Sequence, residues 1–165
     1  MELPKGVEWA AHALLVLHVV GEDRPLSSAG LARLFDLSPT YLNKHLQKLA
    51  TAGMVTSARG ANGGFRLDRD AEQITLHDVV TALDGTRTLF RCNEIRCQGV
   101  FADQREVILA RGLCGINRAM GQAEDAWRSS LRDVSIAALA ANMNAAARTR
   151  IIEATSPKPT LTENQ

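Results

Sequence analysis

The sequence predicts a mainly α-helical chain that carries one small two-stranded β-hairpin. Three observations lead there. Alanine and leucine are abundant while aromatic residues make up only 4% of the chain, a balance that favours helices. Apolar residues recur at steps of three and four through most of the length, behind capping residues. One short segment alternates instead, on either side of the glycine-rich turn RGANGG.

Composition sets the bounds. A chain of 165 residues suits one domain with an appended element. Its 45% hydrophobic and 22% charged content is ordinary for a globular protein. A net charge of +1 leaves any anion-binding surface to local clustering. The longest apolar run, WAAHALLVLHVV (Trp9–Val20), is too short to span a bilayer and lacks a cleavage pattern. It reads as a buried helix in a cytoplasmic protein without membrane contact. Three cysteines, an odd number, argue against a disulfide framework and for ligand or sensor chemistry.

The elements follow in order. A first helix over about Gly6–Val20 places Glu8 and His12 on one face, four residues apart, before GEDRP ends it. Leu31, Leu34 and Phe35 form a short amphipathic helix, and Asp36-Leu37 fits a tight turn. Ser38 caps a second helix with Pro39 at its first position. Leu42, Leu46 and Leu49 are its buried stripe, leaving Thr40, Tyr41, Asn43, Lys44, Gln47 and Lys48 largely outward. MVTSA and FRLDR then pair across RGANGG. Helix, turn, helix and a hairpin with a basic tip make a winged helix-turn-helix with a two-stranded β wing. Thr75 caps the next helix with Asp78 at the reciprocal position and Ile74 stapled onto Val79; Gly85 closes it. Leu113, Ile116, Met120, Ala123, Trp127 and Leu131 define the narrow seam of a long C-terminal helix, as used between two helices of a dimer. Ser135 caps an alanine-rich helix, and the polar, proline-containing end reads as a disordered tail.

All three cysteines lie in RCNEIRCQGVFADQREVILARGLC, residues 91–114, spaced C-x4-C-x16-C. Thiolates gathered in one polar stretch suit a metal site, a cluster or a redox switch. No nucleophile–base pair or phosphate-cradling loop is present, so an enzyme and a small-molecule substrate are not expected. A winged helix that binds a protein instead of DNA is disfavoured by the outward polar face of the second helix.

The chain resembles the Rrf2 family of bacterial regulators, the group holding the IscR- and NsrR-like iron–sulfur and redox sensors. The likeness covers roughly residues 1–140. It rests on LSPTYLNKHLQKLATAGMVTSARGANGGFRL, on ITLHDVVTALDG, and on cysteines placed just before a long helix. The resemblance implies a homodimer that binds double-stranded operator DNA through two winged helices, with affinity switched by an iron–sulfur cluster. It implies four segments: a DNA-binding domain at 1–85, a cysteine-bearing sensor loop at 86–116, dimerisation helices at 117–154, and a tail at 155–165.

On that reading Thr40, Tyr41, Asn43 and Lys44 reach base edges, and Gln47 and Lys48 lie nearer the backbone. Ser28 and Ser38, at helix starts, join the DNA contacts, Ser28 through phosphate. Arg59 at the wing tip enters the minor groove, where Asn62 and the glycines permit close approach. Cys92, Cys97 and Cys114 are the cluster thiolates, although the second gap is longer than the family's pattern. Cys92 and Cys114 are favoured because one precedes the loop and the other opens the long helix. Glu8 of the partner subunit, His12 of the partner subunit, or both complete the set, and Glu106 or His77 are stand-in donors. Mixed thiolate, carboxylate and imidazole donors favour [2Fe–2S]. The alternative is a cluster-free, thiol-based redox repressor of the same fold.

Overall fold

The computed structural model describes residues 3–58, 60 and 63–156. The wing-tip residues Arg59 and Asn62, and residues 157–165, lie outside the described residues.

Helix α1 (Lys5–Val20) is the central post. Its Ala10, Leu14 and Val16 are essentially inaccessible, because four later helices, over Pro39–Thr51, Leu76–Asp84, Ile136–Ala141 and Ala145–Thr155, all pack around it. Helix α2 (Ser28–Leu34) starts at Ser27, whose hydroxyl accepts from the Gly30 N–H at 3.0 Å. Asp36 takes the left-handed conformation, φ 51°, and turns the chain into α3 (Pro39–Thr51). Ser38 caps α3 with Pro39 in the first turn, and Leu42, Leu46 and Leu49 form its buried stripe.

Strands β1 (Val55–Ala58) and β2 (Gly64–Leu67) pair antiparallel with Val55 opposite Leu67 and Ala58 opposite Gly64. The wing gains a third partner, Leu26, which exchanges two backbone hydrogen bonds with Phe65. Helix α4 (Leu76–Asp84) opens on the expected capping box, Thr75 and Asp78 each satisfying the other's backbone N–H. Ile74 and Val79 are both fully buried beside it.

Residues 86–114 hold two 3-10 turns and the six-residue helix α5 (Arg105–Ala110), which no side chain caps. Helix α6 (Gly115–Arg132) follows. Its C-terminal half packs on the core through Trp127 and Leu131, while Ile116 and Met120 remain 68% and 43% exposed. The chain then turns back. Leu76 N–H bonds Val134 carbonyl and Ile136 N–H bonds Ile74 carbonyl, both at 2.9 Å. This clip returns α7 (Ile136–Ala141) and α8 (Ala145–Thr155) to the flank of α1. The segment expected to serve dimerisation thus divides: α6 projects, whereas α7 and α8 complete the winged-helix core, with Ile136 fully buried. Helix α8 also continues through Thr155, one residue into the expected tail. Among the described residues no helix is long and apolar enough to cross a membrane.

Candidate functional site

Two surfaces collect some of the residues singled out by sequence. The first is the outward face of α3. Thr40, Lys44 and Gln47 are exposed, Tyr41 is 49% exposed and Asn43 half-buried. Because Leu42, Leu46 and Leu49 point into the core, helical geometry leaves these side chains on the opposite side. Lys44 lies over the Tyr41 ring, Nζ 5.9 Å from its centroid, which holds the cation at the N-terminal end of the helix. Ser38 spends its side chain on the Tyr41 N–H at 3.4 Å. Ser27, not Ser28, caps α2, which leaves the half-buried Ser28 without that duty. Lys48 differs from the others: its ammonium donates to the Leu83 carbonyl at 2.9 Å, closing the C-terminus of α4.

The inner side of α3 meets α1 through aromatic rings. His45 stands edge-on to Trp9 and Tyr41, with centroids 6.1 and 5.0 Å away. Gly6 lies against the imidazole so closely that a Cβ there would come within 2.3 Å of it. Both ring nitrogens are buried without a hydrogen-bond partner among the described residues. Desolvation holds the His45 pKa below the usual histidine value, and Lys48 and Lys44 push it the same way.

The second surface is built where the loop meets α6. Cys114 is the N-cap of α6, its sulfur accepting the Asn117 N–H at 3.2 Å. That bond lowers the Cys114 thiol below its ordinary value despite desolvation; Cys92, the Ile116 N–H and Arg96 add to the effect. Cys92 comes from the far side of the loop and donates its S–H to Glu94 Oε1 at 3.1 Å. The Glu94 backbone N–H pulls the Cys92 thiol down, but the Glu94 carboxylate, desolvation and Cys114 outweigh it and leave the thiol raised. Glu94 is held below the usual carboxylate range, first by the Cys92 S–H and then by Arg96. Arg96 grips Glu94 Oε2 through Nε at 3.2 Å and Nη2 at 2.6 Å, and also donates to the Gly112 carbonyl.

One ligand atom from each of Cys92, Glu94 and Cys114 lies within 4.8 Å of the other two. These residues line one side of a cavity of about 490 Å³ whose other walls include Phe90, Ile95 and Ile116. A pair of adjacent thiols beside an apolar cavity fits a thiophilic metal group. Cys97 is buried and stands outside this trio. Glu8 and His12 are exposed on α1, where His12 leans on the Phe35 ring at 5.2 Å. Glu106 is exposed on α5, and His77 faces Arg132 at the far end of α6. Sequence reasoning passed over Glu94 and Arg96. The available signal was an acid two residues after Cys92 inside the same turn.

The loop is also tied to α6 lower down. Glu124 accepts the Leu89 N–H at 2.9 Å, and Arg128 donates to the Arg87 carbonyl at 3.0 Å. Glu124 and Arg128 pair at 2.7 Å with side chains only 11% and 13% exposed.

The comparisons agree with this architecture. A family model described as Rrf2, an iron-dependent transcriptional regulator, matches residues 3–142. YffB of Lactococcus lactis, named as a candidate HTH-type transcriptional regulator, is 30% identical over 140 residues, covering 85% of this chain and 87% of that protein. The HTH-type transcriptional regulator IscR of Photobacterium profundum is 32% identical over 100 residues, covering 60% of this chain and 58% of its own. In fold, the chain is similar to CymR, described as the global cysteine regulator of B. subtilis, with a TM-score of 0.65 and 23% identity. That match covers 87% of this chain and 99% of CymR. These relatives are named as regulators of transcription, not as enzymes. The chain belongs to the Rrf2 family of winged-helix, DNA-binding transcriptional regulators.

Proposed function

We propose that this regulator is a homodimer whose affinity for operator DNA is switched by an iron–sulfur cluster, of the [2Fe–2S] type, responding to redox or nitrosative signals. The observation that carries the reading is the approach of Cys92 to Cys114 beside an apolar cavity, although the two are distant in sequence. Both are free thiols, and Cys97 lies apart from them. Cys92 and Cys114 hold the cluster, with Glu8 and His12 of the partner subunit as the remaining donors and Cys97 as a structural residue. When bound, the cluster supplies a one-electron redox centre and a target for nitric oxide. Mixed ligation across the dimer links its state to the angle between the two winged helices.

On the DNA side, Thr40, Tyr41, Asn43 and Lys44 contact bases, and Gln47 and the α2 start at Ser28 contact the backbone. Arg59 and Asn62 at the wing tip serve the minor groove. Lys48 joins the interface only when it leaves the Leu83 carbonyl.

A thiol-switch repressor is the second reading, favoured by the closeness of the two free thiols and their opposite shifts, Cys114 lowered and Cys92 raised, a pairing suited to reversible disulfide formation. One experiment separates them. The protein is purified without oxygen, and its visible absorption, iron and sulfide are measured with operator binding. Cys92→Ser and Cys114→Ser each abolish colour and iron, Cys97→Ser keeps most of both, and Glu8→Ala or His12→Ala shifts the spectrum. A colourless, iron-free protein that still binds its promoter under redox control selects the thiol switch.

A further inference from the structure

We propose that Cys92, Glu94 and Cys114 of a single chain form a binding site for one thiophilic divalent ion, zinc or ferrous iron, in the cluster-free protein. The inference rests on the reading of Cys92 and Cys114 as a metal-binding pair, and adds an in-chain carboxylate ligand that the cluster reading does not use.

Three features support it. The donors converge: one atom from each residue lies within 4.8 Å of the other two, so a modest contraction closes them on one ion. Two thiolates and a carboxylate suit zinc or ferrous iron, in a four-coordinate site whose last position is left to water. The carboxylate is also aimed. Arg96 occupies Glu94 Oε2 with both Nε and Nη2, while Oε1 faces Cys92 Sγ at 3.1 Å and accepts its proton. A divalent ion entering there replaces the thiol protons of both Cys92 and Cys114, which leave to solvent, and takes Oε1 as a single-oxygen ligand. Arg96 thereby acts as the outer partner that orients a ligating carboxylate.

Charge balances as well. Two thiolates and one carboxylate carry three negative charges, which a divalent ion and the Arg96 guanidinium together neutralise. Finally, Glu94 adopts a left-handed backbone, φ 48° and ψ 47°, uncommon for a residue with a side chain. That conformation turns its carboxylate back onto Cys92 instead of letting it follow the 3-10 turn that begins at Ile95.

The test uses full-length protein, freed of iron by a chelator under reducing, oxygen-free conditions and titrated with cobalt(II) as a spectroscopic stand-in. The expected result is one equivalent per chain, with the visible bands and thiolate charge-transfer absorption of a four-coordinate site, bleached by zinc. Cys92→Ser and Cys114→Ser lose the signal, Cys97→Ser keeps it, and Glu94→Gln binds at least tenfold more weakly. Equal affinity in Glu94→Gln, loss of the signal in Cys97→Ser, or no binding by the parent overturns the site. Reconstitution of the same proteins with ferrous iron and sulfide is scored separately. A parent that takes cobalt but assembles no cluster removes the cluster reading and leaves this one. A Glu94→Gln variant that assembles the cluster normally but binds cobalt weakly supports both.

Discussion

His45 shows how one side chain can set a pH limit on the packing of α3. Its ring packs between α3 and α1, its nitrogens are buried without a hydrogen-bond partner among the described residues, and Lys48 and Lys44 add repulsion. Folding therefore favours the neutral imidazole. With a folded pKa depressed below the unfolded value of about 6.5, this stability is complete above that pH and is lost as pH falls toward the folded pKa. The slope cannot exceed about 1.4 kcal/mol per pH unit for one proton. Thermal melts between neutral pH and pH ~5 are expected to show the loss in the parent and a flatter profile in His45→Phe, which keeps the ring and removes both nitrogens. Identical profiles would place the acid sensitivity elsewhere. None of this could be read from sequence, where His45 is one residue on a stripe between leucines. The closeness of Gly6 to the ring comes only from the packing of α1 on α3.

At the scale of elements, the wing depends on a close approach that only glycine permits. A Cβ at Gly64 would lie 2.5 Å from the Leu26 carbonyl carbon and 2.8 Å from the Ser27 nitrogen, both backbone atoms. Gly64→Ala must push the hairpin away from the Leu26 bridge, at a cost of about 1–3 kcal/mol. The expected outcome is a lower melting temperature and weakened operator binding, read by calorimetry and fluorescence anisotropy; an unchanged melt would show that the bridge is dispensable. Helices with strong local signals were legible beforehand. Ser38, Thr75 with Asp78, and Ser135 each announce a helix start through a side-chain cap, and each cap is present. Helix α5 was not legible, since six residues without a cap carry too little periodicity. The break between α7 and α8 also escaped notice. Asn142, Met143 and Asn144 sit within an alanine-rich run, and Asn144 makes its cap on the Ala147 N–H only once the chain has turned.

For the molecule as a whole, the proposed homodimer is assigned to the projecting half of α6. Ile116 and Met120 stand exposed on the same face, spaced one helical turn apart. Because both are already partly covered, completing their burial contributes only part of the ~1.5–3 kcal/mol that full burial of such a side chain supplies. Ile116→Glu with Met120→Glu is expected to lower dimer affinity at least tenfold in sedimentation velocity while leaving the melt of the winged helix nearly unchanged. An unaltered mass would move the dimer contact off α6. The sequence seam anticipated this face but not its division, because Trp127 and Leu131 continue the same spacing while packing on their own core. The cysteine site was half legible for a related reason. Cys92 and Cys114 flank the loop in sequence, yet Glu94 joins them only through its left-handed backbone.

The clamp of Glu124 and Arg128 on residues 87–89 has a geometric consequence. It fixes the chain leaving the winged helix to the lower part of α6, so the 18-residue helix behaves as a lever pivoted near Trp127 with Cys114 at its free tip. From that pivot to the tip is ~20 Å of helix, so a displacement of about 1 Å at the tip corresponds to a rotation of ~3°. In the proposed homodimer, two winged helices carried on a pair of such levers would have to match half-sites ~34 Å apart, a distance over which small rotations accumulate. Under the proposed switch, its gain is set by the stiffness of the Glu124–Arg128 clamp, far from any sulfur atom.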